Sequence, residues 1–184
     1  MDGKTVVQNA RLTWAKFTFS ALEVDIMVVL AKRIQEKSNT ITFRLDEFTG
    51  MGNSNANYTR VRDALKRLQV KLIEYSTEGT KSSTQLVGSV HLMTGSGLFI
   101  VELTPTMHQL LSQFHAYTRY FLTSVMSLET AYSKRIYQMA RNYVNEKHWS
   151  ISIDGLRSTL GVPTGYNHTM FMNRIIKKSI DDIN

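Results

Sequence analysis

The last third of the chain, from Ser127 to Asn184, constrains the fold more than any other stretch. Leu128, Tyr132, Ile136, Met139 and Tyr143 recur at helical spacing and predict one apolar stripe. Ser150-Ile151-Ser152-Ile153 alternates as a short strand does. Asp154 is placed to cap a helix carrying Leu156 and Leu160, and Gly161 to stop it. Val162-Pro163-Thr164-Gly165 is turn chemistry. A final helix follows, with Met172, Ile175, Ile176, Ile180 and Ile183 predicted inward and Met170, Asn173, Arg174, Lys177 and Lys178 outward.

That outer face asks for an explanation. Arg174 stands three residues before Lys177 and four before Lys178, and like charges at those spacings cost a few tenths of a kcal/mol each. Phosphate would offset the cost, and Arg, Lys and Asn are also the side chains that read guanine and adenine edges. The plainer reading is a solvated face, with Asp181 and Asp182 balancing Lys177 and Lys178 at i,i+4. Composition bears on the choice: the net charge is +7 and the pI about 9.7, which suits an acidic partner such as nucleic acid or a membrane surface.

The earlier part of the chain repeats the theme. Residues 5 to 19 read as mixed and extended. Ser20-Ala21-Leu22-Glu23 is a capping box opening a helix with Leu22, Ile26, Val29, Leu30 and Ile34 inward, ending near Lys37 to Asn39. Thr40 to Leu45 alternates as a strand, Asp46 is placed to cap a short helix through Met51, and Gly52 to Asn55 turns into a longer helix from about Ala56 to Lys71. Strand, short helix, turn and longer helix is the helix-turn-helix order. On the longer helix Tyr58, Val61, Ala64, Leu65, Leu68 and Leu72 are predicted inward. Arg60, Arg62, Lys66 and Arg67 face out, with Asp63 as their counter-charge. They fit phosphate contact or plain solvation. Val70 to Ser76 reads as a strand, Thr77 to Ser83 as a loop, and Gln85 to Leu103 as a hairpin turning at Thr94-Gly95-Ser96-Gly97. Thr104-Pro105 starts a helix to about Phe114, and Tyr117 to Leu122 is strand-like. The domain boundary is expected at Thr123 to Ser127, giving one domain over 1–125 and another over 126–184.

The segment Ser127-Leu128-Glu129-Thr130-Ala131-Tyr132-Ser133-Lys134-Arg135-Ile136-Tyr137-Gln138-Met139 resembles a signature of the iteron-binding plasmid replication initiators, a family with two winged-helix domains. The likeness continues at Ile151-Ser152-Ile153-Asp154-Gly155-Leu156-Arg157, at Arg174-Ile175-Ile176 and at Ile180-Asp181-Asp182-Ile183-Asn184. Gln138 departs from the family's usual Glu, and the chain stops at Asn184, where the family continues into a β-hairpin wing. The resemblance implies an α+β fold of two winged-helix-like domains, the second lacking that wing. It implies origin repeats of double-stranded DNA as ligand, with Asn173, Arg174, Lys177, Lys178, His168 and Asn167 reading bases. Arg60, Arg62, Lys66, Arg67 and Arg157 would hold phosphate. It also implies a homodimer through the first domain, with the 85–103 hairpin as candidate interface, autorepression by that dimer, and host replication proteins as partners.

Other chemistry finds little support. Arg135 falls on the apolar face beside Leu128 and Tyr132, where an inward cation needs a carboxylate, a phosphate or an exit route. Gly3-Lys4-Thr5 and Gly79-Thr80-Lys81-Ser82 lack the upstream glycine of a phosphate-binding loop. The five histidines are scattered without metal-ligand spacing, which argues against a metal-dependent nickase. The expectation is therefore no enzyme activity, no metal and no cofactor. With no cysteine, no signal-peptide core and no membrane-length apolar run, the chain is expected in the bacterial cytoplasm. A dimeric winged-helix repressor without a replication role, or a basic module meeting an acidic protein, are the competing readings.

Overall fold

The computed structural model describes residues 5–34, 38–48, 54–77, 79–93, 96–112, 117–146 and 148–184. Strand β1 (Thr5–Asn9) pairs antiparallel with β7 (Tyr117–Phe121), so both ends of the larger core are tied together. Between them lie α1 (Ala10–Trp14), α2 (Ala21–Arg33), β2 (Thr40–Arg44), a 3-10 turn at Leu45–Glu47, α3 (Asn55–Leu68), β3 (Leu72–Thr77), β4 (Thr80–Gln85), β5 (Val87–Met93), β6 (Leu98–Leu103) and α4 (Pro105–Ser112). Strands β2, β6 and β5 form one sheet in that order, closed by the β5–β6 hairpin, and α2 and α3 pack against its buried face. This is a helix-turn-helix with a β-hairpin wing.

The local chemistry explains the element ends. Ser20 and Glu23 form the predicted capping box at α2, with Ser20 N–H donating to Glu23 Oε2 at 2.7 Å. α2 is buried nearly all round, from Val24 to Ala31, because it is the central helix of the larger core. Ser54 caps α3 through Asn57 N–H, and Val61, Ala64, Leu65 and Leu68 form its buried stripe. Thr104 caps α4 as its position before Pro105 requires. On β6 only one face is fully buried (Phe99, Val101 and Leu103), while Leu98 and Ile100 are half-covered and Glu102 is exposed.

Several expectations are corrected. Thr80 to Ser83 is strand and not loop: β4 pairs with β3 from Thr77↔Thr80 to Leu72↔Gln85, forming a separate two-stranded hairpin. Leu72 is 53% exposed because it opens β3 instead of ending α3. Val70 and Lys71 lie between α3 and β3. The stretch Ala10–Trp14 is helical, not extended. Asp46 lies within a 3-10 turn instead of capping an α-helix. The remainder of that short helix, the Thr94-Gly95 turn and the end expected for α4 at Phe114 lie outside the described residues. The end expected for α2 near Lys37 to Asn39 comes sooner: the helix stops at Arg33, where Ile34 leaves helical geometry, and Ser38 and Asn39 are not helical.

The expected boundary at Thr123 to Ser127 is itself a helix, α5 (Leu122–Ser127), whose Val125 is fully buried. The chain then enters α6 (Ala131–Asn142), capped by Thr130, which has two buried faces. Met139, with Tyr132 and Ile136, packs into the smaller core beside Leu160, Phe171, Ile175 and Trp149. The opposite face, Lys134, Arg135 and Gln138, is buried against the larger unit, while Ser133 is buried beside Ser179 near the chain's end. Lys134 Nζ lies 2.7 Å from Asp25 Oδ1 on α2 and donates to Val125 O at 2.7 Å. Burial pushes the Asp25 carboxyl up to about 6 although Lys134 pulls it down.

Arg135 is paired structurally, with backbone carbonyls in place of a carboxylate. It donates to three carbonyls around the end of α1: Leu12 O at 3.5 Å, Thr13 O at 3.2 Å and Ala15 O at 2.7 Å. Its guanidinium also sits 3.7 Å from the Phe17 ring centroid. Leu12 O also accepts from Ala15 N–H, and Arg135 Nε has no partner among the described residues, so the carbonyls and the ring offset only part of the cost of burying the charge. Burial still lowers the Arg135 pKa to about 9.

Ser150 to Ile153 is not a strand. Ser152, not Asp154, caps α7 (Ile153–Thr159) by accepting from Gly155 N–H. Gly161 does end that helix, in the left-handed region at φ +63. A Cβ at Gly161 would stand 2.6 Å from Thr18 Oγ1, so the end of α7 is seated directly on the segment after α1. Among the described residues no helix is long and apolar enough to cross a membrane.

Candidate nucleic-acid interface

The chain from His168 to Ile183 is one continuous helix made of α8 (His168–Phe171), a π-helical stretch (Met172–Lys177) and α9 (Lys178–Ile183). Asn167 is its cap and accepts from Met170 N–H at 2.9 Å. The buried positions are Phe171, Ile175 and Ser179, four apart, with Ile183 half-buried. In an ordinary α-helix each step of four turns about 40° past a full circle, so such a row would drift off the core. The wider π turn takes up that drift. The predicted inner face is corrected on this account: Met172 is 38% and Ile180 50% exposed, and Ser179 takes the buried place. Ser179 lies 3.4 Å from Ser133 Oγ on α6.

The opposite side then presents Asn173, Arg174, Lys177 and Lys178 to solvent, with His168 and Thr169 also exposed at the start. Among the described residues, Arg174 and Lys177 have no carboxylate partner. Lys178 lies 3.5 Å from Glu129. The i,i+4 balance expected from the sequence is not what forms: Asp182 instead accepts from Glu129 N–H at 3.0 Å, holding the helix against the entry to α6. Arg157 has an internal role. It donates to Tyr166 O and to Asn167 O, the latter at 3.4 Å, and lies 5.3 Å from the Phe171 ring centroid. It thereby braces the turn that aims the terminal helix.

The first unit's α3 differs. Arg60 and Lys66 are exposed, and Arg60 donates to Asn57 Oδ1 at 3.3 Å. Arg62 pairs with Asp63 at 2.9 Å. Arg67 stays about half exposed, yet its Nε lies 2.8 Å from Glu23 Oε1, and Lys71 Nζ lies 2.6 Å from Glu23 Oε2. Glu23 is fully buried. Burial opposes its charge, but Lys71, the Ser20 N–H and Arg67 outweigh that and lower its pKa. The pattern of the sequence marked Glu23 as a capping residue and gave no sign of this second role, because its cations stand 44 and 48 positions away.

Residues 5–141 match the family described as "Initiator Replication protein, WH1". The chain belongs to this family. Within its wider circle, a "Probable replication protein rep" of Bifidobacterium longum (strain NCC 2705) is 24% identical over 174 residues, covering 88% of this chain and 58% of the relative. This chain thus spans little more than half the length of that curated relative. The fold is also that of a solved structure described as "Crystal structure of Pi initiator protein in complex with iteron DNA". The two superpose with a TM-score of 0.69 at 15% identity, covering 100% of this chain and 86% of the other. The family match covers the first unit and most of α6; the terminal helix lies beyond it and rests on the structural likeness for its fold. Among the described residues no three His, Asp or Glu side chains lie close enough to hold a metal ion.

Proposed function

We propose that this protein is a plasmid replication initiator that binds direct-repeat duplex DNA at an origin, reading base edges with its terminal helix. The observation that carries the reading is the exposed row Asn173, Arg174, Lys177 and Lys178, held outward by the π-helical register, with two of its three cations lacking a carboxylate among the described residues. Such a row fits a major groove, where bidentate contacts from Arg to guanine and from Asn to adenine each discriminate by roughly 1–3 kcal/mol. His168 and Asn167 stand at the end of that helix and Arg157 braces it. Arg60, Lys66 and, in part, Arg62 and Arg67 would add phosphate contacts from the first unit. The same reading includes a homodimer joined through the β5–β6 hairpin, where Leu98 and Ile100 are only half-covered, autorepression by that dimer, host replication proteins as partners, a bacterial cytoplasmic setting and no enzymatic step.

The test is selection of duplexes from a random library, followed by fluorescence anisotropy on the selected duplex and a scrambled one. The expected result is a preference of a hundredfold or more, on the order of 2.7 kcal/mol, that persists at near-physiological salt. Equal, salt-sensitive binding to both would sink base readout. A minimal replicon that persists after loss of the gene would remove the initiator role and leave a repressor.

A further inference from the structure

An open groove of about 770 Å³ lies between the β3–β4 hairpin, α1 and α7. Three cations border it, Arg11, Lys16 and Lys81, against one carboxylate, Glu74. Glu74 is already 3.4 Å from Lys16. Among the described residues neither Arg11 nor Lys81 has a carboxylate partner, and both are exposed. Hydroxyls complete the walls: Ser76, Ser82 and Ser83 from the hairpin, and Ser158 from α7. Ser76 stands directly opposite Lys81 in the ladder. The frame is fixed, because Lys16 and Glu74 exchange backbone hydrogen bonds at 2.7 and 2.9 Å.

This chemistry matches a sugar-phosphate chain, whose oxygens take hydrogen bonds from Arg, Lys and Ser. It does not suit unstacked bases as well. Of the two rings at the groove, Trp14 is already packed edge-on against Tyr143 at 5.8 Å and Trp149 at 5.5 Å, and Tyr75 is packed against the larger core. The position also fits. The segment that carries Arg11 and Lys16 continues to Thr18, which borders a second crevice of about 350 Å³ shared with Arg174 and Lys178 of the terminal helix. The seat of Gly161 on Thr18 holds α7 against that segment.

We propose that this groove seats the phosphate backbone of the duplex next to the stretch read by the terminal helix, with Arg11 and Lys81 as its charged contacts and Ser76, Ser83 and Ser158 as hydrogen-bond donors. The inference rests on duplex binding as read above. It replaces the face of α3 as the main phosphate contact of the first unit, since part of that face is spent on Glu23 and Asp63.

The experiment is anisotropy of the full chain on a 30-base-pair duplex across a salt series, for wild type, Lys81→Ala, Arg11→Ala with Lys81→Ala, and Lys32→Ala. Lys32 is an exposed cation on α2 that borders neither cavity, so it controls for net charge. Each lost phosphate contact should flatten the plot of log K against log salt by about 0.9. The expected result is therefore a slope shallower by about 0.9 for Lys81→Ala and about 1.8 for the pair. Lys32→Ala should match wild type, and the ratio of selected to scrambled duplex should be unchanged in all variants. Circular dichroism melts check that each variant is folded. Wild-type slopes in the folded pair, equal losses in Lys32→Ala, or a loss confined to single-stranded oligonucleotide would overturn the groove. A wild type that binds duplex without preference would overturn base readout instead, and the slopes would still judge the groove.

Discussion

The two basic helices of this chain, α3 and the terminal helix, use their cations differently. On α3 and just after it, Arg67 and Lys71, both still partly exposed, pair with the buried Glu23, and Arg62 pairs with Asp63. On the terminal helix, Arg174 and Lys177 meet no carboxylate among the described residues, and Asp182 is diverted to a backbone N–H. A basic helix is thus partly paired within the fold in one case and left largely outward in the other. Cation count alone would have ranked α3, with four, ahead of the terminal helix, with three; where each cation's partner sits reverses that order.

The contrast can be broken most forcefully at Glu23. Glu23→Ala removes a capping box and leaves two cations without their acid, so it should cost about 2–4 kcal/mol of stability in a denaturant titration. Its folded pKa is lowered from the ordinary 4.5, so its contribution is complete above that value and is lost as pH falls through the lower folded pKa. The wild type should show that acid limb and Glu23→Gln should lack it; an identical pH profile for both would remove the ionic role. DNA preference should be unchanged in the folded fraction. Arg174→Ala should do the reverse: a loss of about 1–3 kcal/mol in binding to the selected duplex, with the thermal midpoint unmoved. A midpoint that falls with it would mean Arg174 is structural. The two caps sharpen the comparison further. Ser54→Ala and Asn167→Ala should each cost about 1 kcal/mol of stability. If Asn167→Ala loses much more affinity than stability, its side chain also touches DNA. The smallest effect is expected at Lys66→Ala, which should leave stability within about 0.5 kcal/mol and flatten the salt dependence by less than about 0.9.

Legibility in the sequence followed distance along the chain. The Ser20–Glu23 box, the Thr104 cap and the Gly161 stop could be read because each acts within one turn. Strand β4 could not. Thr80 to Gln85 carries no apolar alternation, and its pairing partner alone makes it a strand. Ser150 to Ile153 alternates but finds no partner, so Ser152 caps a helix instead. Arg135 was recognisable as an inward cation, yet its carbonyl partners lie 120 or more positions away. For the candidate interface, the exposed side of the terminal helix was readable from charge spacing, whereas the hydroxyl-lined groove joins residues from Ala10 to Ser158 and leaves no local pattern.

The π-helical stretch carries a consequence for how such a protein can change over descent. A helix that holds a single wide turn contains one residue of slack. Removing one residue between Met172 and Lys177 would restore ordinary winding and leave the two ends facing much as before, because Phe171 and Ser179 would then stand seven apart, about 20° short of two full turns. A residue lost elsewhere in the helix, where there is no slack, would turn everything beyond it by about 100°. The terminal helix can thus change length at this one place over descent and keep its exposed face aimed outward.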